Sequence, residues 1–80
     1  MDYNAMLATI KKYLQRRYSY EIINKLRNGK PFTAERKDLH GILLIDEEIM
    51  EILIEKMHED GYIKKDDGGT ITFSMDWLMK

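Results

Sequence analysis

The chain contains no cysteine, so no disulfide and no cysteine-based zinc or iron–sulfur site can form. Histidine is nearly as scarce. His40 and His58 are the only two, and neither falls in a HExxH-like pairing. Proline occurs once, at Pro31, so a single position forbids helix continuation outright. No apolar run approaches the roughly 20 residues of a membrane span. The start, MDYNAMLATIKK, has no basic stretch followed by an apolar core, so it does not read as a secretory signal. An intracellular, cytoplasmic protein is expected.

Catalytic constellations are also missing. Ser19, Thr33, Thr72 and Ser74 have no visible base beside them. Gly68-Gly69 falls between two strand-like segments and not before a helix, so it reads as a turn rather than a phosphate cradle. His58-Glu59-Asp60 reads as a solvated helix end rather than a metal site. Glu47, Glu51 and Glu55 share one helix face, whereas a calcium loop places alternating oxygen ligands on a turn. No enzymatic role, no metal and no cofactor is expected.

What is present is a balance of 44% hydrophobic and 34% charged residues in 80, which suits one small folded domain. A chain of this size buries only about 60% of its unfolded surface. The net charge of −1 conceals a segregation. Residues 11–37 hold nine basic side chains against Glu21 and Glu35, a local charge of +7. Residues 38–60 hold Lys56 against eight acidic side chains, a local charge of −7. Either the two halves neutralise each other within the fold, or they mark surfaces for partners.

Tyr3, Met6, Leu7, Ile10, Tyr13 and Leu14 recur at helical spacing, with Asp2 placed to cap the helix. Tyr18, Ile22, Ile23 and Leu26 continue a helical pattern. One helix over 2–28 and two helices with Ser19 as the second cap both fit. Gly29 and Pro31 end this region. Thr33 is expected to cap a short helix, AERKDLH, closed by Gly41. Ile42–Ile45 fits a buried turn or a short buried strand. Asp46 caps a further helix, which Gly61 ends. In YIKKDDGGTITFS, two strands flank Asp66-Asp67-Gly68-Gly69. Ile63, Ile71 and Phe73 should face inward, and Lys65, Thr70, Thr72 and Ser74 outward or at the tip. Trp77 and Leu78 in the tail should pack back onto the domain or onto a partner.

EIINKLRNGKPFT, LHGILLIDEEIMEILIEKMHEDGYI, the DDGG turn and TITFS together resemble the winged helix-turn-helix superfamily over residues 18–74. The stretch MHEDGYI is similar to the end of the third helix in MarR- and ArsR-type regulators. AERKDLH departs from that pattern, lacking the usual Leu-Ala pair. The resemblance implies a mainly α fold with a small β-hairpin: an extra N-terminal helix (2–17), a winged-helix core (18–74) and a tail (75–80). It also implies that Met50, Leu53, Ile54 and Met57 face the core, leaving Glu48, Ile49, Glu51, Ile52 and Glu55 outward. In such proteins the third helix usually enters the DNA major groove.

That outward face is acidic. DNA binding is driven by phosphate neutralisation, and base edges are read mostly by Arg, Lys, Asn and Gln. Glu47, Glu51 and Glu55 also repel one another at i,i+4 spacing by about 0.2–0.5 kcal/mol per pair, so something should compensate. The first expectation is a small DNA-associated transcriptional regulator that contacts double-stranded DNA mainly through basic residues. These are Lys11, Lys12, Arg16, Arg17, Arg36 and Lys37, with Lys64 and Lys65 in the wing, while Lys25, Arg27 and Lys30 extend the basic segment. The alternative is a protein-interaction module docking a basic partner on Glu48, Ile49, Glu51, Ile52 and Glu55, unless the N-terminal helix covers the two isoleucines. Tyr3, Tyr13, Tyr18 and Tyr20 are expected to line a helix interface rather than stack on bases. The Tyr3, Met6, Leu7, Ile10, Tyr13, Leu14 stripe has no obvious place in an 18–74 core, so a homodimer through it is expected.

Overall fold

A computed structural model describes residues 2–80. Its first helix, α1, spans Tyr3–Arg17, and the Asp2 carboxylate accepts from the Ala5 N–H at 2.7 Å as the cap. The next helix, α2, spans Ser19–Arg27, so the region holds two helices. The junction is a bend at Tyr18 (φ −123°, ψ 26°), not a cap by Ser19, which is already the first helical residue. Backbone bonding continues across the bend: Tyr18 N–H donates to Leu14 O at 2.9 Å, and Ile22 N–H donates to Tyr18 O at 2.8 Å. Tertiary contacts hold Tyr18 in place. Its ring lies 5.6 Å from Phe32 and 6.2 Å from Tyr13, and its hydroxyl donates to Asp38 at 3.0 Å. After α2, Gly29 adopts φ 65°, the left-handed conformation that a helix-terminating glycine supplies without steric cost.

The expectation for residues 33–45 is corrected. Strand β1 covers Phe32–Glu35, with Phe32 and Ala34 buried and Thr33 and Glu35 exposed. Thr33 is therefore a strand residue, not a helix cap, and it pairs with Thr72. Helix α3 begins later, at Arg36, and runs to Leu43 with Gly41 inside it. No strand forms at Ile42–Ile45: Ile42 and Leu43 complete α3, and Leu44 makes the turn toward the next helix. Leu44 ends it in the left-handed conformation (φ 54°) and is 87% exposed.

Helix α4 spans Glu47–Glu59, and Asp46 accepts from the Ile49 N–H at 2.9 Å. Glu47 and Glu48 occupy the first turn, where the helix dipole favours negative charge. Met50, Leu53, Ile54 and Met57 are all buried. Gly61 follows the helix with φ 84°. Strands β2 (Ile63–Asp66) and β3 (Thr70–Phe73) form the hairpin, its turn tied by the Gly68 N–H donating to Asp66 at 2.8 Å. The hairpin belongs to a three-stranded antiparallel sheet of order β1-β3-β2, in which Phe32 and Ile63 both face Phe73 in register. Ser74 is buried rather than outward, and its Oγ accepts from the Trp77 N–H to start α5 (Met75–Leu78).

The molecule is thus mainly helical with a small sheet, and it has one core. That core includes α1. Ile10 and Leu14 are 0% exposed, and Tyr3, Met6, Leu7 and Tyr13 pack against the same cluster. The reason for expecting a dimer through this stripe is therefore gone, because its own chain covers it. The tail folds back too. Leu78 is buried, Trp77 stacks at 5.3 Å on Tyr62 and 6.1 Å on Phe73, and Gln15 donates to Leu78 O at 2.6 Å. Among the described residues, no helix is long and apolar enough to cross a membrane.

Candidate interaction surfaces: an acid-rimmed helix and a basic flank

The solvent face of α4 centres on Ile52. Helical spacing sets Glu48 one turn before it and Glu55 and Lys56 one turn after, with Ile49 alongside. Ile52 is 62% exposed and Ile49 44% exposed. The register expected from the core positions therefore holds, and α1 does not cover the isoleucines. What α1 reaches is the far end of α4. The Tyr3 hydroxyl donates to Asp60 at 2.7 Å, and Lys56 Nζ sits 4.9 Å above the Tyr3 ring. Burial first, and then the hydrogen bond and charge of Asp60, push the Tyr3 phenol pKa well up. Lys56 also pairs with Asp60 at 3.8 Å, so the one cation on this helix is turned toward its C-terminus.

The compensation required by the stacked glutamates comes from Arg36. Its guanidinium meets Glu47 at 2.7 Å, Glu51 at 2.6 Å and Asp66 at 3.5 Å, with its side chain 12% exposed. Burial alone would lower its pKa, but the Glu47 hydrogen bond and the charges of Glu47, Glu51 and Asp66 outweigh that and raise it. The Arg36 N–H also donates to Gly69 O at 2.9 Å. One residue thus ties the start of α3, the first half of α4 and the hairpin together. This corrects the assignment of Arg36 to a DNA-contacting set, since its charge is consumed internally. Glu51 is likewise spoken for. Glu48 and Glu55 have no basic side chain within 4.0 Å among the described residues, so they carry the free negative charge around Ile52.

The basic flank is differently made. Lys12, Arg16 and Arg17 are exposed on the second half of α1 and line one shallow depression with Thr9 and Tyr13. Arg17 lies 5.6 Å over the Tyr18 ring, and the half-buried Lys11 lies 5.8 Å from the Trp77 ring. Lys37 is exposed and paired with Glu35 at 3.1 Å, and Lys65 with Asp67 at 3.7 Å. Lys64 is exposed. Among the described residues, Lys11, Lys12, Arg16, Arg17, Lys25, Arg27, Lys30 and Lys64 have no carboxylate within 4.0 Å. Ion pairing between the basic and acidic halves of the sequence is thus confined to Arg36, and most of the segregated charge faces outward.

One surface was not anticipated. Tyr20, Ile23 and Leu26 on α2 and Met79 after α5 are 87%, 45%, 47% and 48% exposed. The signal was present in the spacing. Ile22 is the buried residue of α2, and Tyr20 and Ile23 are rotated well away from it on a helical wheel. Of the tyrosines, Tyr3, Tyr13 and Tyr18 pack on the core, as an interface-lining role requires, while Tyr20 does not.

Comparison with protein families, with curated proteins and with solved structures gives no match.

Proposed function

We propose that the protein is a winged-helix-type interaction module that docks a basic, partly apolar partner on the outer face of α4. The order α2, β1, α3, α4, β2, β3, with β1 joined to β3 and the DDGG turn as the wing, supports the winged-helix reading. The observation that carries the function is Ile52, 62% exposed between the unpaired Glu48 and Glu55. An apolar centre with a charged rim suits a protein partner, and a carboxylate row repels a phosphate backbone. The test is a fluorescently labelled amphipathic Lys/Leu helical peptide titrated with the protein. Ile52→Asp should weaken binding at least about tenfold, as for a central interface residue, with an unchanged circular dichroism spectrum. Equal binding by the two proteins would refute the reading.

A second reading has its own support. Among the described residues, the basic residues of α1 and α2 have no carboxylate within 4.0 Å and suit a polyanion, which supports a DNA-associated regulator held through Lys12, Arg16, Arg17 and Lys64. Affinity for a random duplex that falls steeply with salt, and vanishes in the Arg16→Glu/Arg17→Glu variant, is its expected signature. The two readings use different surfaces and can be scored independently.

A further inference from the structure

The exposed apolar face of α2 has a basic rim, and the exposed apolar face of α4 has an acidic one. On α2, Tyr20 and Ile23 share a shallow depression with Asn24 and Arg27. Leu26 shares the neighbouring one with Lys30 and Lys64. A third depression holds Ile23 with Met79, Leu78 and Gln15. Among the described residues, no carboxylate lines any of the three. Arg27, Lys30 and Lys64 are exposed and, among the described residues, have no acidic partner within 4.0 Å. The α4 face is the converse: Ile49 and Ile52 beside the free carboxylates of Glu48 and Glu55.

We infer that the basic partner of α4 is the α2 face of a second copy of this chain, joined head to tail. This rests on the docking reading of α4 and names the occupant. Charge complementarity selects it. Two α4 faces brought together would oppose carboxylate to carboxylate, and two α2 faces would oppose cation to cation. The unlike pair sets Glu48 and Glu55 toward Arg27, Lys30 and Lys64, with isoleucines against Tyr20, Ile23 and Leu26. Tyrosine, methionine and arginine are the residue types enriched at protein interfaces, and α2 and its neighbour Met79 present all three. Each copy would donate one face and accept on the other, so the contact is heterologous and propagates into a ring or an open array.

The experiment is sedimentation velocity on the full chain over a wide concentration series, at low and at high salt. The wild type should form species larger than a dimer as concentration rises, and salt should weaken them, because rim charges are screened. Glu48→Lys/Glu55→Lys should sediment as a monomer, since both its faces are then basic. Arg27→Glu/Lys30→Glu should also be monomeric, since both its faces are then acidic. An equimolar mixture of the two variants should associate again, because every unlike contact is restored. Among the described residues these four side chains make no ion pair, so the reversals break none; circular dichroism and the denaturant midpoint check that both variants fold despite the lost helix-end charges of Glu48 and Arg27. Persistent association of either variant alone, or a monomeric mixture, overturns the inference. If the wild type is monomeric throughout while the Lys/Leu peptide still binds in an Ile52-dependent way, self-association is refuted and the docking reading survives. If the peptide also fails to bind, both fall.

Discussion

Helices α1 and α4 are built from the same local parts and end in different roles. Each begins with an aspartate whose carboxylate accepts from the N–H three residues on, at 2.7 Å in α1 and 2.9 Å in α4. Each carries an apolar stripe that enters the one core. They differ on the other side. The outer face of α1 is polar and basic, with Lys12, Arg16 and Arg17 in solvent. The outer face of α4 carries two isoleucines among carboxylates. The exposed Ile49 and Ile52 occur where the chain has concentrated negative charge. The inner faces therefore report on stability, and the outer faces are where the proposed partners would bind.

The largest expected effect tests whether α1 belongs to the core. Leu14→Ala removes a 0% exposed side chain and should cost about 3 kcal/mol, read from the denaturant midpoint. A loss under about 1 kcal/mol would mean that α1 is a detachable arm. Arg36→Leu comes next, at about 2 kcal/mol, because it leaves Glu47, Glu51 and Asp66 facing one another without their shared cation. Ile52→Asp should change stability by less than about 1 kcal/mol while weakening the proposed docking at least about tenfold. A large destabilisation would place Ile52 inside the fold and erase the distinction between the two helices.

Alkaline pH tests the packing at the α1–α2 junction. Burial, and then the hydrogen bond to Asp38, push the Tyr18 phenol up from 10.0 to about 12. A raised folded-state pKa gives stability that is fully present below the unfolded value and lost as pH rises through the folded one. Stability should therefore hold to about pH 10 and fall toward pH 12, the interval set by those two values. Tyr18→Phe should flatten that fall, with Tyr3 supplying what remains. The smallest effect concerns Leu44, which is left-handed and 87% exposed. Asparagine tolerates that conformation better, so Leu44→Asn should stabilise by up to about 1 kcal/mol, seen as a modest rise in Tm.

Several elements were legible because their causes are local. The caps Asp2 and Asp46, the stop at Gly29, the glycine after α4 and the DDGG hairpin each depend on a few adjacent residues. The α4 register came from the resemblance to winged-helix domains, and the apolar Met50, Leu53, Ile54 and Met57 at the positions it assigns to the core are indeed buried. Residues 33–45 misled because their local signals point elsewhere. Thr33 is a good helix cap in isolation, but Phe32 and Ala34 gain more by pairing with β3, about forty residues downstream. No local signal reports that a strand edge is waiting.

Of the surfaces, the α4 face was readable as a set of outward positions but not in the pairing of Glu51 with Arg36, whereas the basic set was readable only as a list of cations. Nothing in its neighbours separates Arg36 from Arg16. Its partners Glu47, Glu51 and Asp66 lie 11, 15 and 30 positions away. The sequence by itself determined where α1 begins and where α4 and the hairpin form, since capping and periodicity act within a turn or two. Only the tertiary structure decided that Tyr18 bends the first two helices and that residues 32–35 join the sheet. It also decided that Arg36 is a clamp and that the α1 stripe is covered by its own chain. Each of these depends on side chains brought together from distant parts of the chain, and contacts of that kind leave no local periodicity to read.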